Sequence, residues 1–445
     1  MRIAIIGAGE VGTTIARNLA NDHDVTVIDI NAEWAEKLKY KLDVLTLNGD
    51  GTSLDTLESA DAGSCEMVLA CTDDDLTNLA VCGTAKVLGE PFTVARTKST
   101  KYLRTWERDN SAFDVDCMVC TDLLTAQDIV RVIGLPAAID VDSFAGGCVH
   151  MVEFELDEKS PISTQTVADA DRFESLTFVS VFRDGDVIFP RGDTVLRPGD
   201  RIVVIGSPES IQTFASDFAP KSTPGKADEI VVVGGGEIGY QTARLLENRA
   251  LSPRLIENDP TRSRWLAERL PNTFVMEHDA TDTQFLAREH VDEADIVVAA
   301  LDSDEKNLLV SVLAKRLGCN RVVAVVDNGE YVQLFEQIGI DVAINPRQVT
   351  AEDIIRFTFD TVAENVAVLE NDQAEVVEIE LRSDSEFVGA RIDELAQLLD
   401  VEFVIGAVTR DGELVTPRGD TVLRENDHLV AFVETDSISD FLSNV

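Results

Sequence analysis

The chain has 445 residues, enough for about two to four domains, and with 44% apolar residues it can build packed cores. It carries 81 acidic against 38 basic residues, a net charge of −43 spread along its whole length. That balance excludes a nucleic-acid partner, because no basic stripe exists to displace counterions, and it excludes electrostatic docking on anionic lipid.

Such density of acid fits adaptation to molar intracellular salt, where the Debye length is about 3 Å and self-repulsion is screened. An ordinary acidic protein is the plainer alternative. No run approaches 18 consecutive apolar residues, and the chain starts directly on a strand-like run without a leader pattern. The seven cysteines have no framework spacing, which suits a reducing cytosol. Cys117-Met-Val-Cys120 is a CxxC without a second CxxC or a nearby histidine pair, and it reads as buried small residues rather than a metal or redox site.

In chain order, the apolar run IAII (3–6) stops at Gly7-Ala8-Gly9-Glu10-Val11-Gly12, and a helical pattern begins. The first glycine permits a tight turn, the second lets the backbone approach a pyrophosphate, and the third lets helix and strand pack closely. The helix N-terminus then offers free N–H groups and a positive dipole end to phosphates. VTVID ends on Asp29, placed to take a ribose 2′-hydroxyl and to repel a 2′-phosphate. VLTL is followed by a loop containing Asp50, a candidate acceptor for an adenine amino group. MVLAC is followed by Thr72 and Asp73, and FTVAR ends on Arg96, placed to reach a phosphate. A shorter unit follows, in which residues 178–206 read as strands joined by Asp-Gly and Pro-Gly turns. Its Arg-Gly-Asp at 191–193 reads as a turn, not an adhesion motif.

The pattern then repeats. Gly7 recurs as Gly234 at an offset of 227 residues, and GDTVLR at 192–197 recurs at 419–424 at the same offset. TAQDIVR at 125–131 recurs as TAEDIIR at 350–356, offset by 225. The second copy supplies Gly234, Gly236, Glu237, Ile238 and Gly239, with Glu257 in the role of Asp29 and Asp279 in that of Asp50. Arg96 has Val325 as its counterpart, and His278 stands in the loop that follows the third strand, so the two sites are expected to be unequal. The linker is KSTPGKADE, 221–229.

Five short apolar runs separated by helix-length segments in each long unit imply a parallel sheet covered on both faces. The expected architecture is α/β: two tandem Rossmann-like, doubly wound domains at 1–138 and 228–365, each followed by a small β-rich α+β domain, at 139–220 and 366–445. None of the five histidines sits in a catalytic constellation, and no P-loop, GxSxG or HExxH occurs, so no enzyme is expected.

This domain order resembles the TrkA family of potassium uptake regulators, built from RCK (regulator of potassium conductance) domains. GAGEVG (7–12), CTDDDLTN (71–78), VARTKSTKYL (94–103), GGGEIG (234–239), EHDATD (277–282), INPRQVTAEDI (344–354) and the two RGDTVLR hairpins carry the resemblance over essentially the whole chain. It implies NAD(H) binding by the first unit through Gly7 to Val11, Asp29, Thr72, Asp73 and Arg96, and nucleotide binding, NAD(H) or ATP/ADP, by the second. It implies assembly into a ring beneath a membrane potassium-translocating subunit of the TrkH/KtrB type, in the cytoplasm and peripheral to the membrane. A dinucleotide-binding regulator of another transporter and an NAD-dependent oxidoreductase stay open as alternatives.

Overall fold

The computed structural model describes residues 1–21, 23–109, 112–135, 138–145, 148–158, 160–173, 175–218, 229–356, 363–368, 374–383, 385–399, 401–410 and 413–442. The expected linker lies outside the described residues except for Glu229, as do residues 369–373 of the second internal boundary.

Strands β1 (Arg2–Ile6), β2 (Asp24–Asp29), β3 (Leu45–Asn48), β4 (Met67–Ala70), β5 (Phe92–Thr97) and β6 (Cys117–Cys120) alternate with helices. These are α1 (Glu10–Leu19), α2 (Ala32–Lys39), α3 (Leu54–Ser59), α4 (Asp75–Leu88), α5 (Thr100–Trp106) and α6 (Thr121–Gly134). Then come β7 (Ala138–Phe144), β8 (Val149–Glu155), α7 (Val167–Ala170), β9 (Leu176–Arg183), β10 (Asp186–Ile188), β11 (Arg201–Gly206) and α8 (Pro208–Phe218).

The second copy repeats the order. Its strands β12 (Ile230–Val233), β13 (Arg254–Glu257), β14 (Phe274–Glu277), β15 (Ile296–Ala299), β16 (Arg321–Val325) and β17 (Val342–Ile344) alternate with six helices. Those are α9 (Glu237–Asn248), α10 (Pro260–Ala267), α11 (Thr283–Arg288), α12 (Asp304–Leu317), α13 (Val332–Gln337) and α14 (Pro346–Arg356). The chain closes with β18 (Ala363–Val368), β19 (Ala374–Glu380), α15 (Ile392–Leu398), β20 (Phe403–Arg410), β21 (Glu413–Val415), β22 (His428–Glu434) and α16 (Ile438–Leu442).

The first sheet has strand order 3-2-1-4-5-6 and is parallel in every pairing; the third repeats it as 14-13-12-15-16-17. The order reverses beside β1 and β12, the crevice where open α/β sheets take ligands. Apart from Arg2 at the start of β1, these central strands are buried because helices cover both faces, which is why they read as continuous apolar runs. α1 buries Val11, Ile15, Ala16 and Leu19, the stripe expected of a helix lying on a sheet. Each sheet has one strand more than its five apolar runs announce. β6 is the CxxC stretch itself, and β17 is only three residues long.

The two antiparallel sheets also match, with orders β10-β9-β11-β8-β7 and β18-β19-β22-β20-β21. Each contains a buried aspartate gripped by an arginine at two points: Arg183 on Asp200, and Arg410 on Asp427, with all four N···O distances 2.7 Å. The Arg-Gly-Asp runs form turns tied by Thr194 and Thr421, whose hydroxyls accept from the Arg191 and Arg418 amides.

The chain packs like with like. Residues 1–130 and 228–358 form one compact unit, and 131–227 and 359–445 form another. In the first, α14 of the second copy lies along α1 of the first. Thr350 and Thr121 share a buried hydroxyl–hydroxyl hydrogen bond there (3.0 Å). In the other unit the two antiparallel sheets share an apolar core in which Phe144, Val179 and Ile205 meet Val376, Val430 and Phe432.

Candidate functional site: two glycine turns

At the end of β1 the chain turns through Gly7 at φ +106°, a conformation that side chains with a Cβ rarely adopt. Gly12 packs so tightly on this turn that an added Cβ would lie 1.9 Å from the Gly7 carbonyl oxygen. Gly9 is the N-cap of α1, and no side chain caps the helix, so its first amides are free to receive an anion. Asp29, ending β2, holds the turn from the other side. Its Oδ2 accepts from the Ala8 amide at 2.6 Å and its Oδ1 from the Asn31 amide at 2.7 Å. Each carboxylate oxygen keeps a further lone pair, which suits a ribose diol.

A cavity of about 760 Å³ lies over this turn, within the range of small-molecule sites. Asp29, Ile30, Asn31 and Trp34 line it, as do Gly7, Gly9, Glu10, Val11, Asp50, Thr72, Asp73 and Arg96; of the first-copy residues selected from the sequence, Ala8 and Gly12 lie outside the lining. Arg96 is 3% exposed. Its Nε donates to Thr121 Oγ1 at 3.1 Å and its Nη1 to Asp73 Oδ1 at 3.1 Å. Burial alone would raise the Asp73 pKa, but Arg96, Lys98 and Arg347 outweigh it and hold the carboxyl below its usual range. Asp50 points its Oδ1 at its own loop, accepting from the Thr52 amide (2.9 Å) and hydroxyl (2.7 Å). That contact holds the loop in place and leaves Oδ2 as the acceptor facing solvent at the cavity mouth.

Some residues of the site carry no motif signal. Asn78 is buried and fixes the loop after β4: its Oδ1 accepts from the Thr72 amide (2.9 Å) and its Nδ2 donates to the Arg96 carbonyl (2.8 Å). Asn307 repeats this with Leu301 and Val325. The recurrence of Asn at the same place in CTDDDLTN and ALDSDEKN is the available clue. Arg347 lines the cavity although it belongs to the second copy.

The second turn has the same backbone. Gly234 is at φ +106°, a Cβ on Gly239 would lie 1.9 Å from the Gly234 oxygen, and Glu257 Oε2 accepts from the Gly235 amide at 2.8 Å. Its surroundings differ. Trp34 has Arg262 as its counterpart; that guanidinium donates to the Gly235 carbonyl (2.6 Å) and lies over the Trp265 ring at 4.1 Å. His278 stacks on Phe285 at 3.9 Å and meets Asp282 at 3.1 Å, so it serves its own loop. Asp279 Oδ1 is taken up by Thr281, as Asp50 is by Thr52. A second cavity, about 240 Å³, is bounded by Gly236, Glu237 and Ile238 on one side and by Arg96, Lys98 and Asp122 on the other.

Burial pushes the Cys117 thiol up to about 12 and that of Cys120 to about 11, leaving both protonated and unreactive at neutral pH. Among the described residues, no group of three or more His, Cys, Asp or Glu could hold a metal ion. Nor is any described helix long and apolar enough to cross a membrane.

The fold and the turns define a tandem pair of Rossmann-type nucleotide-binding domains, each followed by an antiparallel α+β domain. The TrkA-N domain family matches residues 3–115 and 230–346, and the TrkA-C domain family matches 151–219 and 376–445. The chain belongs to the TrkA family. It is 36% identical to a Trk system potassium uptake protein TrkA homolog of Archaeoglobus fulgidus, with 98% of each chain covered. It is 30% identical to the Trk system potassium uptake protein TrkA of Haemophilus influenzae, over 97% of this chain and 96% of that one. Among solved structures, the GsuK RCK domain superposes with a TM-score of 0.61 at 18% identity, covering 99% of this chain and 95% of that one. The GsuK channel bound to NAD gives 0.60 at 18%, covering 100% and 78%. At these identities the likeness is one of fold.

Proposed function

We propose that this chain is the nucleotide-sensing regulatory subunit of a potassium uptake system. NAD(H), or ATP and ADP, binds at the first glycine turn. Binding shifts a ring of such chains, and the ring gates a membrane potassium-translocating subunit from the cytoplasmic face.

The observation that carries this reading is the cavity over the first turn, where uncapped helix amides, the Asp29 carboxylate and the Arg96 guanidinium converge. The residues fit a dinucleotide. Gly7, Gly9 and Gly12 leave room for a pyrophosphate on the α1 amides, and Asp29 suits an unphosphorylated ribose. The names of the relatives supply the transport system, and the NAD-bound GsuK structure shows one protein of this fold that takes that ligand. Such a ligand acts by binding one assembly state better than another; a coupling of about 1–3 kcal/mol per site is typical. The second turn, through Gly234 and Glu257, is read as a related site of weaker or altered preference.

The test is calorimetric titration of NAD, NADH, ATP and ADP into the purified chain in molar KCl, with Asp29→Ala and Gly9→Asp as controls. Loss of binding in both variants with the fold retained is the expected result; wild-type affinity in both would show that the site is elsewhere. Affinity purification from native membranes with nucleotide present should bring down a potassium-translocating partner. Failure to recover any membrane protein would count against the regulatory role.

A further inference from the structure

Glu10 and Glu237 occupy the same place, the first residue of the helix that follows each glycine turn. Each reaches across to the other nucleotide-binding domain, and what it meets there differs. Glu10 Oε2 pairs with Arg347 Nη1 at 2.6 Å, and its Oε1 accepts from the Gly329 amide at 3.1 Å. Glu237 Oε1 accepts from the Thr100 hydroxyl of the first domain at 3.0 Å and from Gln241 of its own helix at 2.6 Å. Aligning the repeats that contain TAQDIVR and TAEDIIR puts Asp122 at the position of Arg347. The cation facing the first turn is thus exchanged for an acid facing the second.

A carboxylate at a helix N-terminus favours the dipole but repels a phosphate arriving at the same amides. At the first turn Arg347 offsets that repulsion. Apart from Glu10, its guanidinium donates through Nη1 to the Asp327 carbonyl at 3.2 Å. Its Nε and Nη2 donate to no protein group among the described residues, and the side chain lines both cavities. At the second turn Glu237 is bonded to Thr100 and Gln241 instead of to a cation, and Asp122 adds a second acid beside the Arg96, Lys98 and Arg347 side chains that also line that cavity.

Resting on the reading that the first turn binds a nucleotide, we infer that Arg347 completes the first site from the second domain as a phosphate-binding cation. At the second turn the equivalent position holds Asp122, whose charge opposes a phosphate there. Nucleotide bearing two or more phosphates therefore binds the first turn more tightly, and in doing so it draws on the Glu10–Arg347 link between the two domains.

The test uses ADP as the probe, titrated calorimetrically into the full chain in molar KCl. Arg347→Gln should weaken the first-site affinity by about tenfold or more, the usual effect of losing a charge-assisted hydrogen bond, and Arg347→Lys should recover part of it. Glu10→Gln should act in the opposite direction, tightening binding by freeing the guanidinium and removing the repulsion; simple damage to the domain contact would weaken binding in both variants. Asp122→Asn should tighten the weaker site. ADP binding that is lost in Asp29→Ala but unchanged in Arg347→Gln would keep the nucleotide reading and overturn this inference. No ADP or NADH binding to the wild-type chain would overturn both.

Discussion

The guanidinium of Arg96, almost wholly buried, reaches the carboxylate of Asp73 at 3.1 Å on the rim of the first cavity. Asp73 itself is largely exposed, so the ion pair works as a tether: a buried arginine is held at the mouth of the site by an acid that a phosphate can displace. We predict that Arg96→Met, which keeps the apolar stem, lowers NADH affinity by about tenfold to a hundredfold, as expected for losing a hydrogen bond to a charged ligand. Asp73→Asn should preserve or improve binding. Calorimetry on both variants decides this, and equal affinity in wild type and Arg96→Met would remove Arg96 from the site.

The glycines of the first turn should fail in different ways. An added Cβ at Gly12 meets the Gly7 oxygen at 1.9 Å, and backbone cannot yield cheaply there. At Gly9 the nearest atom is a Trp34 ring carbon at 3.4 Å, ordinary contact distance. Gly12→Ala should therefore lower the melting temperature by several degrees as well as abolish binding. Gly9→Ala should melt like wild type yet bind NADH poorly, because its methyl group stands where the pyrophosphate approaches. Equal melting temperatures for wild type and Gly12→Ala would contradict the packing described.

Both turns could be read in the sequence because their requirements are local. A residue at φ +106° and a helix pressed on a strand call for glycine at fixed spacing, and Asp29 and Glu257 follow at the ends of the next strands. The parallel and antiparallel domains were legible for a similar reason, since burial on two faces or one face writes itself into the apolar pattern. β6 was hidden because four residues, Cys-Met-Val-Cys, read equally well as a CxxC. Asp50 showed its loop but not the Oδ1 contact to Thr52 that holds it. Arg347 lies 337 residues from Glu10, and no local pattern predicts that pairing. Its charge reversal against Asp122 is visible once the repeats are aligned, but it acquires meaning only when α14 is seen to pack on α1.

The repeated Arg–Asp pairs of the antiparallel domains should be the costliest polar groups to remove. Asp200 is buried and accepts from Arg183 at two points and from the Arg197 amide at 2.7 Å. Asp200→Ala leaves the guanidinium without its partner, and such losses cost about 3–5 kcal/mol. Asp427→Ala, with the same partners in Arg410 and Arg424, should cost about as much. Denaturant unfolding of each variant tests this; a loss below about 1 kcal/mol would mean that the pair is dispensable.

Asp122 should make stability depend on pH near neutrality. It begins α6 facing Glu237 on α9, with Lys98 and Arg96 from the end of β5 and Asp75 from α4 around it. Burial raises its pKa, the Glu237 charge raises it further, and the two cations only partly oppose them, giving about 7. In the unfolded chain an aspartate titrates near about 3.9. Between those values the folded state holds a proton that the unfolded state has lost. Stability from this group therefore falls as pH rises through the window, and the full cost, on the order of 4 kcal/mol at most, is present above pH 7. Asp122→Asn removes the titration. It should match wild type near pH 4 and be the more stable of the two at pH 8. Denaturant midpoints of both proteins, measured from pH 5 to pH 8.5 at constant KCl, should diverge as the pH rises toward about 7 and level off above it. A difference that stays constant across the range would show that Asp122 is already ionised in the folded protein.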